Sequence, residues 1–472
     1  MPFVSAAPLL LGTTCIDDHG AVISHVPLHG GKFLCQSVLK VTQAGQYVID
    51  FKNSSTIARF QHELIDIHDV RTVMKGGLSS PEHNPFLLRH GRVVSLAPGS
   101  YRLVTWLQSP YYLAHPEVYV SELTAYQKQT HFSAAIGLLL LGILSGLFIY
   151  FAAIGVVKGH MTERMYATFI FGNLIFHAAA LGTFNQFFGW HWFYLTGLPL
   201  LIANLAYISF ICHLLGINQF HRPHIYQLSL FASSTLIALL VLGMIFPNWM
   251  LEMVRYGVII FLCFGLICGI RLSLQKQPIA LLYLLATITF AILSSISLNT
   301  GRLDLHPFTS EQVSLFAISV ETILLSLLLA YKTSRLHHEN ELMLVELQNT
   351  RSLAMTDRLT GIPNRHALEN KLVQLPPHGC LIFLDMDNLK QVNDHFGHET
   401  GDHLLKLFSQ ILAGKLSSHG QVYRLGGDEF AILCHEDDVE WCQHQLDYTH
   451  LQLAKEGFAG VGASMGVVFT HE

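Results

Sequence analysis

Charge is what this sequence has least of. Only 13% of its 472 residues are Asp, Glu, Lys or Arg, against 51% hydrophobic ones, and the mean hydropathy is +0.40. Soluble domains carry about 25% charged residues, so a wholly soluble chain is excluded and a membrane is indicated. The net charge of -5 is too mild to argue for or against a nucleic-acid partner, and none is expected. No Lys or Arg precedes Lys32, so the apolar run Pro2–Gly12 lacks the positive start of a secretory signal. An internal start, or translocation through the first span, is expected instead. None of the eight cysteines has metal-ligand spacing. Cys15 and Cys35 can pair on an oxidising side of a membrane, or remain free thiols.

What is present is strongly partitioned. Residues 1–130 are mixed and polar, with strand-like runs at Tyr47–Phe51, Tyr101–Trp106 and Glu117–Val120. Turn signals at Ala44-Gly45 and Pro98-Gly99 punctuate these β-branched and aromatic runs, which read as an all-β sandwich with a structural or a sensing role. Residues 131–331 then carry seven apolar stretches: Ser133–Val157, Tyr166–Phe184, Trp192–Leu215, Tyr226–Phe246, Val254–Ile270, Pro278–Leu298 and Val313–Tyr331. A bilayer core of about 30 Å needs roughly 20 such residues per helix. Seven spans put the two flanking regions on opposite sides of the membrane.

The Lys and Arg count in the loops orients the chain. Lys158, Arg164, Arg222, Arg271, Lys276, Lys332 and Arg335 lie on the side of the C-terminus, and only Lys128, Arg255 and Arg302 on the other. The C-terminus is therefore expected in the cytoplasm and residues 1–130 outside, in a bacterial inner membrane, with Trp190, Trp192 and Trp249 near the outer boundary. The polar residues Asn173, His177 and Glu321 within spans are read as interhelical hydrogen-bonding glue, with a signalling relay as the sharper alternative. No span carries a ladder of charges, which disfavours a transporter. Residues 332–355 continue as a charged helix in which Leu336, Met343, Leu347, Thr350 and Ala354 form a short coiled-coil seam, read as the stalk of a parallel dimer or as an amphipathic helix lying on its own domain.

Residues 356–472 contain four ordered motifs. Asp357–Arg365 reads D-R-L-T-G-I-P-N-R and Asp385–Asp394 reads D-M-D-N-L-K-Q-V-N-D. Phe396–Asp402 reads F-G-H-E-T-G-D, and Arg424–Phe430 reads R-L-G-G-D-E-F. Leu381–Leu384 forms a short strand that delivers Asp385 to solvent. Tyr423–Leu425 and Phe430–Leu433 flank a glycine-rich turn, a hairpin in which glycines permit positive φ and close approach of a triphosphate. Asp385 from the strand end and Asp428 from the turn can converge on one divalent ion, and Mg²⁺ suits oxygen ligands shared with nucleotide phosphates.

These motifs resemble those of the GGDEF diguanylate cyclases, whose α/β, nucleotidyl-cyclase-like domain joins two GTP molecules into cyclic di-GMP. The resemblance implies metal binding by Asp385, the Met386 carbonyl and Asp428, with Mg²⁺ as the ion and Mn²⁺ as an alternative. It implies that Glu429 assists the metal or deprotonates the attacking 3′-hydroxyl, that Lys390 offsets phosphate charge, and that Asn393 and Asp402 read the guanine edge. His395, His398 and His403 are given no catalytic role. Each domain would hold one GTP, so a homodimer is required, with pyrophosphate as the second product. The whole layout resembles that of bacterial receptors with an outer β domain, seven membrane helices and an intracellular signalling module. An external ligand, of a kind the sequence does not name, is expected for the outer domain.

Two departures accompany the resemblance. The family's R-x-x-D product-inhibition motif is replaced by Ser417 and Gly420 at its end positions. The sequence stops at Glu472, after Ala463–Val467, which resembles the family's S-x-G strand, and without the helix that follows it. A truncated module with weakened turnover is the expectation, and a receptor that binds GTP or a partner without turnover is the alternative.

Overall fold

A computed structural model of the chain describes residues 8–298, 309–373, 378–416 and 418–470, with the side chains of 347–353 left aside. Arg302, Leu347, Thr350, Ser417 and Glu472, named above, and the start of the run from Pro2 lie outside what is described. The chain separates into two compact units, residues 1–333 and 334–472.

The first unit begins with nine strands. They are β1 (Leu9–Asp17), β2 (Val22–Ile23), β3 (Gly31–Val41), β4 (Gly45–Phe51), β5 (Arg59–Ile65), β6 (Arg71–Gly76), β7 (Arg92–Leu96), β8 (Gly99–Ser109) and β9 (Val118–Glu122). Six form an antiparallel sheet in the order β2-β1-β3-β8-β5-β6, and three form a second, β7-β4-β9. Alternation along β3 and β7 buries every second side chain, so Leu39, Ile49, Leu64, Val94 and Leu103 from both sheets share one core. This is the expected all-β layer. Cys15 and Cys35 face each other across β1 and β3 and are joined by a disulfide.

The helices that follow are α1 (Leu123–Val157), α2 (Met161–Ala180), a short α3 (Thr183–Phe188), α4 (Leu198–Leu214), α5 (Pro223–Ile245), α6 (Met250–Leu274), α7 (Pro278–Leu298) and α8 (Ser310–Met355). Among the described residues, six helical segments are long and apolar enough to cross a membrane: Leu123–Val157, Phe193–Leu214, Pro223–Ile245, Pro247–Leu274, Pro278–Ser297 and Ser310–Glu346. The expected span Tyr166–Phe184 is occupied differently. Helix α2 already ends at Ala180, where Gly182 turns the chain at φ 75°, and it carries Glu163 in its first turn. Helix α1 starts upstream of its apolar stretch because Tyr126 is drawn into the β layer, its hydroxyl donating to Asp50 Oδ2 at 2.7 Å. Within the bundle Tyr207 donates to Glu321 Oε1 at 2.8 Å, and Asn173 bonds its own helix at the Phe169 carbonyl.

The second unit holds α9 (Arg365–Leu372), β10 (Gly379–Asp387), α10 (Leu389–Phe396), α11 (His398–Leu416), β11 (Gly420–Gly426), β12 (Glu429–His435), α12 (Val439–Lys455) and β13 (Gly462–Phe469). Its antiparallel sheet has the order β11-β12-β10-β13. One face, bearing Ile382, Leu384, Phe430 and Ile432, packs on Leu404, Phe408 and Leu412 of α11 and Leu446 and Leu453 of α12. At some 1.5–3 kcal/mol for each fully buried aliphatic or aromatic side chain, this apolar layer dominates the stability of the module. The opposite face packs Tyr423 and Ala431 on Leu368 of α9 and leaves Phe383 and Val468 44% and 48% exposed.

Candidate active site

The site is built where three sheet elements end together. Strand β10 pairs with β12 so that Asp385 stands directly opposite Glu429. The Met386 amide donates to the Asp428 carbonyl at 3.1 Å, which ties the end of β10 to the turn of the β11–β12 hairpin. That turn closes over Gly427 and Asp428, since Gly426 and Glu429 are paired. Gly427 lies at φ 52° and Gly426 at φ 154°, a backbone path that side chains oppose. On the other side of β10, Ser464 stands opposite Asp385 and donates to Asp387 Oδ1 at 3.0 Å.

Asp385, Met386, Asp428 and Glu429 are thus brought together. Asp385 and Glu429 are exposed, Asp428 is half-buried and the Met386 side chain is buried. None of the ion pairs among the described residues involves these three carboxylates. Carboxylates gathered without an ion pair suit a divalent cation. The described residues hold no group of three His, Cys, Asp or Glu arranged for a metal by themselves. Two carboxylates and a backbone carbonyl therefore need ligands from elsewhere, and nucleotide oxygens fit that requirement.

Lys390, Asn393 and Asp402 come from the two helices beside the strand end. Asn388 opens α10 from a left-handed conformation at φ 66°, which asparagine tolerates, and its side chain donates to the Gly460 carbonyl at 2.8 Å. Lys390 follows in the first turn and is exposed. Asn393, half-buried, lies with its side chain directly against the Cα of Gly401, where a Cβ would collide with its Oδ1. Asp402 is the next residue and is exposed. Asn393 and Asp402 are therefore adjacent across the α10–α11 turn. His395 bonds the Gln391 carbonyl and His403 packs on Phe458.

Arg424 is a residue whose part was not legible in the motif. Its Nε and Nη2 donate to the Gly427 carbonyl at 3.2 and 2.7 Å, and its Nη1 donates to Asp357 Oδ1 at 2.9 Å. Burial opposes the charge of Asp357, but the Thr360 hydroxyl and amide and the Arg424 guanidinium outweigh it and hold the carboxyl below its usual range. Its signal is an arginine two residues before the glycine pair. Across the open sheet face, Asp385 and Glu429 stand at the edge of a groove of about 610 Å³ floored by Leu381, Phe383 and Met465.

Residues 354–472 match the family model described as diguanylate cyclase, GGDEF domain. The chain carries a GGDEF domain. Ahead of this GGDEF domain, residues 133–332 match the model described as 7TM diverse intracellular signalling. The diguanylate cyclase DgcS of Shewanella oneidensis is 32% identical over 139 residues, 27% of this chain and 46% of that one. The diguanylate cyclase DgcP of Pseudomonas aeruginosa is 33% identical over 128 residues, 26% of this chain and 19% of that one. The chain thus spans less than half the length of either relative. A solved structure of the coiled coil and GGDEF domain of DgcB from Caulobacter crescentus, in complex with c-di-GMP, is similar at 22% identity and a TM-score of 0.27. It covers 29% of this chain and 81% of that one.

Proposed function

We propose that this protein is a membrane-bound sensory diguanylate cyclase that condenses two GTP molecules into cyclic di-GMP and releases pyrophosphate. The observation that carries the proposal is the joining of Asp385, Met386, Asp428 and Glu429 by the Met386–Asp428 backbone bond and the Asp385–Glu429 pairing, with none of the three carboxylates in an ion pair among the described residues. Asp385, Asp428 and the Met386 carbonyl would hold Mg²⁺, with Mn²⁺ as a substitute. The ion supplies charge neutralisation on the triphosphate and polarises the phosphoryl oxygens. Glu429 accepts the proton of the attacking 3′-hydroxyl or completes the metal shell. Lys390 faces phosphate charge from the first turn of α10. Asn393 bonds the guanine carbonyl and Asp402 accepts from its N–H groups.

One site holds one GTP, so both phosphodiester bonds require two domains facing each other. The exposed apolar residues Leu336 and Met343, seven positions apart on α8, suit pairing between two copies. We further propose that α2 is a seventh span. It presents Tyr166, Ala167, Phe169 and Ile170 to neighbouring helices, so protein rather than lipid covers most of it. The Lys and Arg bias then puts the GGDEF domain in the cytoplasm of a bacterial inner membrane and the β domain outside, where it meets its ligand.

The test is the full chain in lipid nanodiscs with GTP and Mg²⁺, assayed for cyclic di-GMP. Wild type should form product, and Glu429→Gln and Asp428→Asn should lower the rate by at least a hundredfold. GTP bound without any product would replace this reading with a receptor that signals without turnover.

A further inference from the structure

The loop between β4 and β5 makes an unusual contact. Four donors converge on one carboxylate oxygen of Glu311, in the first turn of α8. Ser54 Oγ donates at 2.7 Å, the Ser55 amide at 3.0 Å, the Thr56 amide at 3.1 Å and Thr56 Oγ1 at 2.9 Å, all to Glu311 Oε1. Beside it, the Asn53 carbonyl accepts from the Ser310 amide at 3.2 Å and from Ser310 Oγ at 3.1 Å. All four participants are buried, Glu311 being 2% exposed and Thr56 fully covered.

This is not helix capping. Thr309 and Gln312 cap the helix themselves, with the Thr309 amide bonded to Gln312 Oε1 at 3.1 Å and the Gln312 amide to the Thr309 carbonyl at 3.1 Å. The Glu311 carboxylate instead takes its donors from a loop about 255 residues earlier in the chain. The same loop has other anchors. Its Ser55 carbonyl meets His90 Nε2 at 2.6 Å, and Thr56 Oγ1 also reaches the Ala180 carbonyl at the end of α2, at 3.3 Å. At its start, Asp50 of β4 pairs with the buried Arg89 at 3.5 Å and accepts from Tyr126 of α1 at 2.7 Å. One short segment of the β domain thus holds α1, α2 and α8 together.

Hydrogen bonds weaken steeply with distance and angle, and a buried carboxylate that loses its donors is strongly disfavoured. The loop and the start of α8 must therefore move together or part abruptly, the behaviour of a two-position element rather than a soft spring. Helix α8 runs on without interruption to Met355, two residues before Asp357.

We propose that the Ser54–Thr56 loop is the grip by which the β domain holds the output helix, and that release of Glu311 from it changes the state of the stalk and the output of the GGDEF domain. The second clause rests on the cyclase reading above; the first does not. The experiment uses the full chain in lipid nanodiscs as wild type, Glu311→Gln, Glu311→Ala and the double variant Ser54→Ala/Thr56→Val. The double variant leaves the carboxylate two backbone donors, and it carries the test if Glu311→Ala does not assemble. Hydrogen exchange is followed at the Ser55 and Thr56 amides and over stalk residues 334–346, with pyrophosphate release and GTP affinity alongside. Exchange at the two loop amides should rise at least tenfold in Glu311→Ala. Stalk exchange and turnover should each change at least threefold, while GTP affinity stays unchanged. Loop amides that lose protection while the stalk exchanges as in wild type, or that keep their protection, would overturn the grip. A wild type that makes no product overturns the cyclase reading alone, because stalk exchange needs no GTP.

Discussion

Arg424 and Asp357 join the beginning of the GGDEF domain to its signature turn. One guanidinium nitrogen sits 2.9 Å from Asp357 Oδ1, while two others hold the Gly427 carbonyl. The segment that follows Asp357 is laid against β11 by the same region, since the Arg424 amide donates to the Pro363 carbonyl at 2.9 Å. The position of Asp428 and Glu429 is therefore tied, through Arg424, to Asp357, 67 positions before that arginine in the chain.

Removing this pair should loosen the turn before it unfolds the domain. Arg424→Ala leaves Asp357 half-buried without its charge partner and frees the Gly427 carbonyl, a loss of about 1–2 kcal/mol. Turnover should fall more than tenfold while GTP still binds, measured by pyrophosphate release and nucleotide titration. Asp357 has a lowered carboxyl pKa, so its contribution is present above the ordinary value of 3.8 and is lost as pH falls through its folded value. Asp357→Asn should be less stable at pH 7 and should flatten that acid limb, as urea titrations at several pH values would show.

Gly401→Ala places a methyl group where Asn393 Oδ1 now lies. Asn393 must swing away, and the guanine contact proposed for it is lost. The expected result is a KM for GTP raised about tenfold, roughly one to two hydrogen bonds' worth, with kcat within about threefold of wild type. A variant with unchanged KM would remove Asn393 from the binding site.

Cys15 and Cys35 close a loop of 20 residues between β1 and β3. Chain-entropy arguments assign such a link about 3 kcal/mol. Reduction, or Cys15→Ser with Cys35→Ser, should lower the unfolding midpoint of the β domain and leave the GGDEF domain's midpoint unmoved. Differential scanning calorimetry resolves the two transitions.

His62 is enclosed by Phe51 and Phe60 and bonded to Thr105 Oγ1 at 2.8 Å. Burial, aided by Arg92, depresses its pKa from 6.5 to about 3. An unfolded chain binds that proton near pH 6.5 and the folded one does not, so stability is intact above pH 6.5 and declines as pH falls toward 3. Between pH 6.5 and 4.5 the loss is about 2 kcal/mol. His62→Gln should remove most of this slope in circular-dichroism melts taken across that range.

Much of this protein is legible along the chain because the relevant signals are local. Apolar runs of membrane-spanning length, the alternation of β3 and the glycine pair of the β11–β12 turn each lie within one segment. The motifs at Asp385 and Asp428 are local as well, but that they meet is decided by the pairing of β10 with β12. The expected span Tyr166–Phe184 overruns α2 because hydropathy runs smoothly through Ala180 to Phe184, whereas the helix ends before Gly182.

What the tertiary structure alone decided is which distant residues meet. Composition and periodicity determine which face of an element is buried, but not the path a loop takes to reach a partner hundreds of positions away. Nothing in Ser54-Ser55-Thr56 announces Glu311, and nothing in Asp357 announces Arg424. Those pairings follow from the register of sheets and the packing of helices, which bring together a buried charge and the donors it cannot do without.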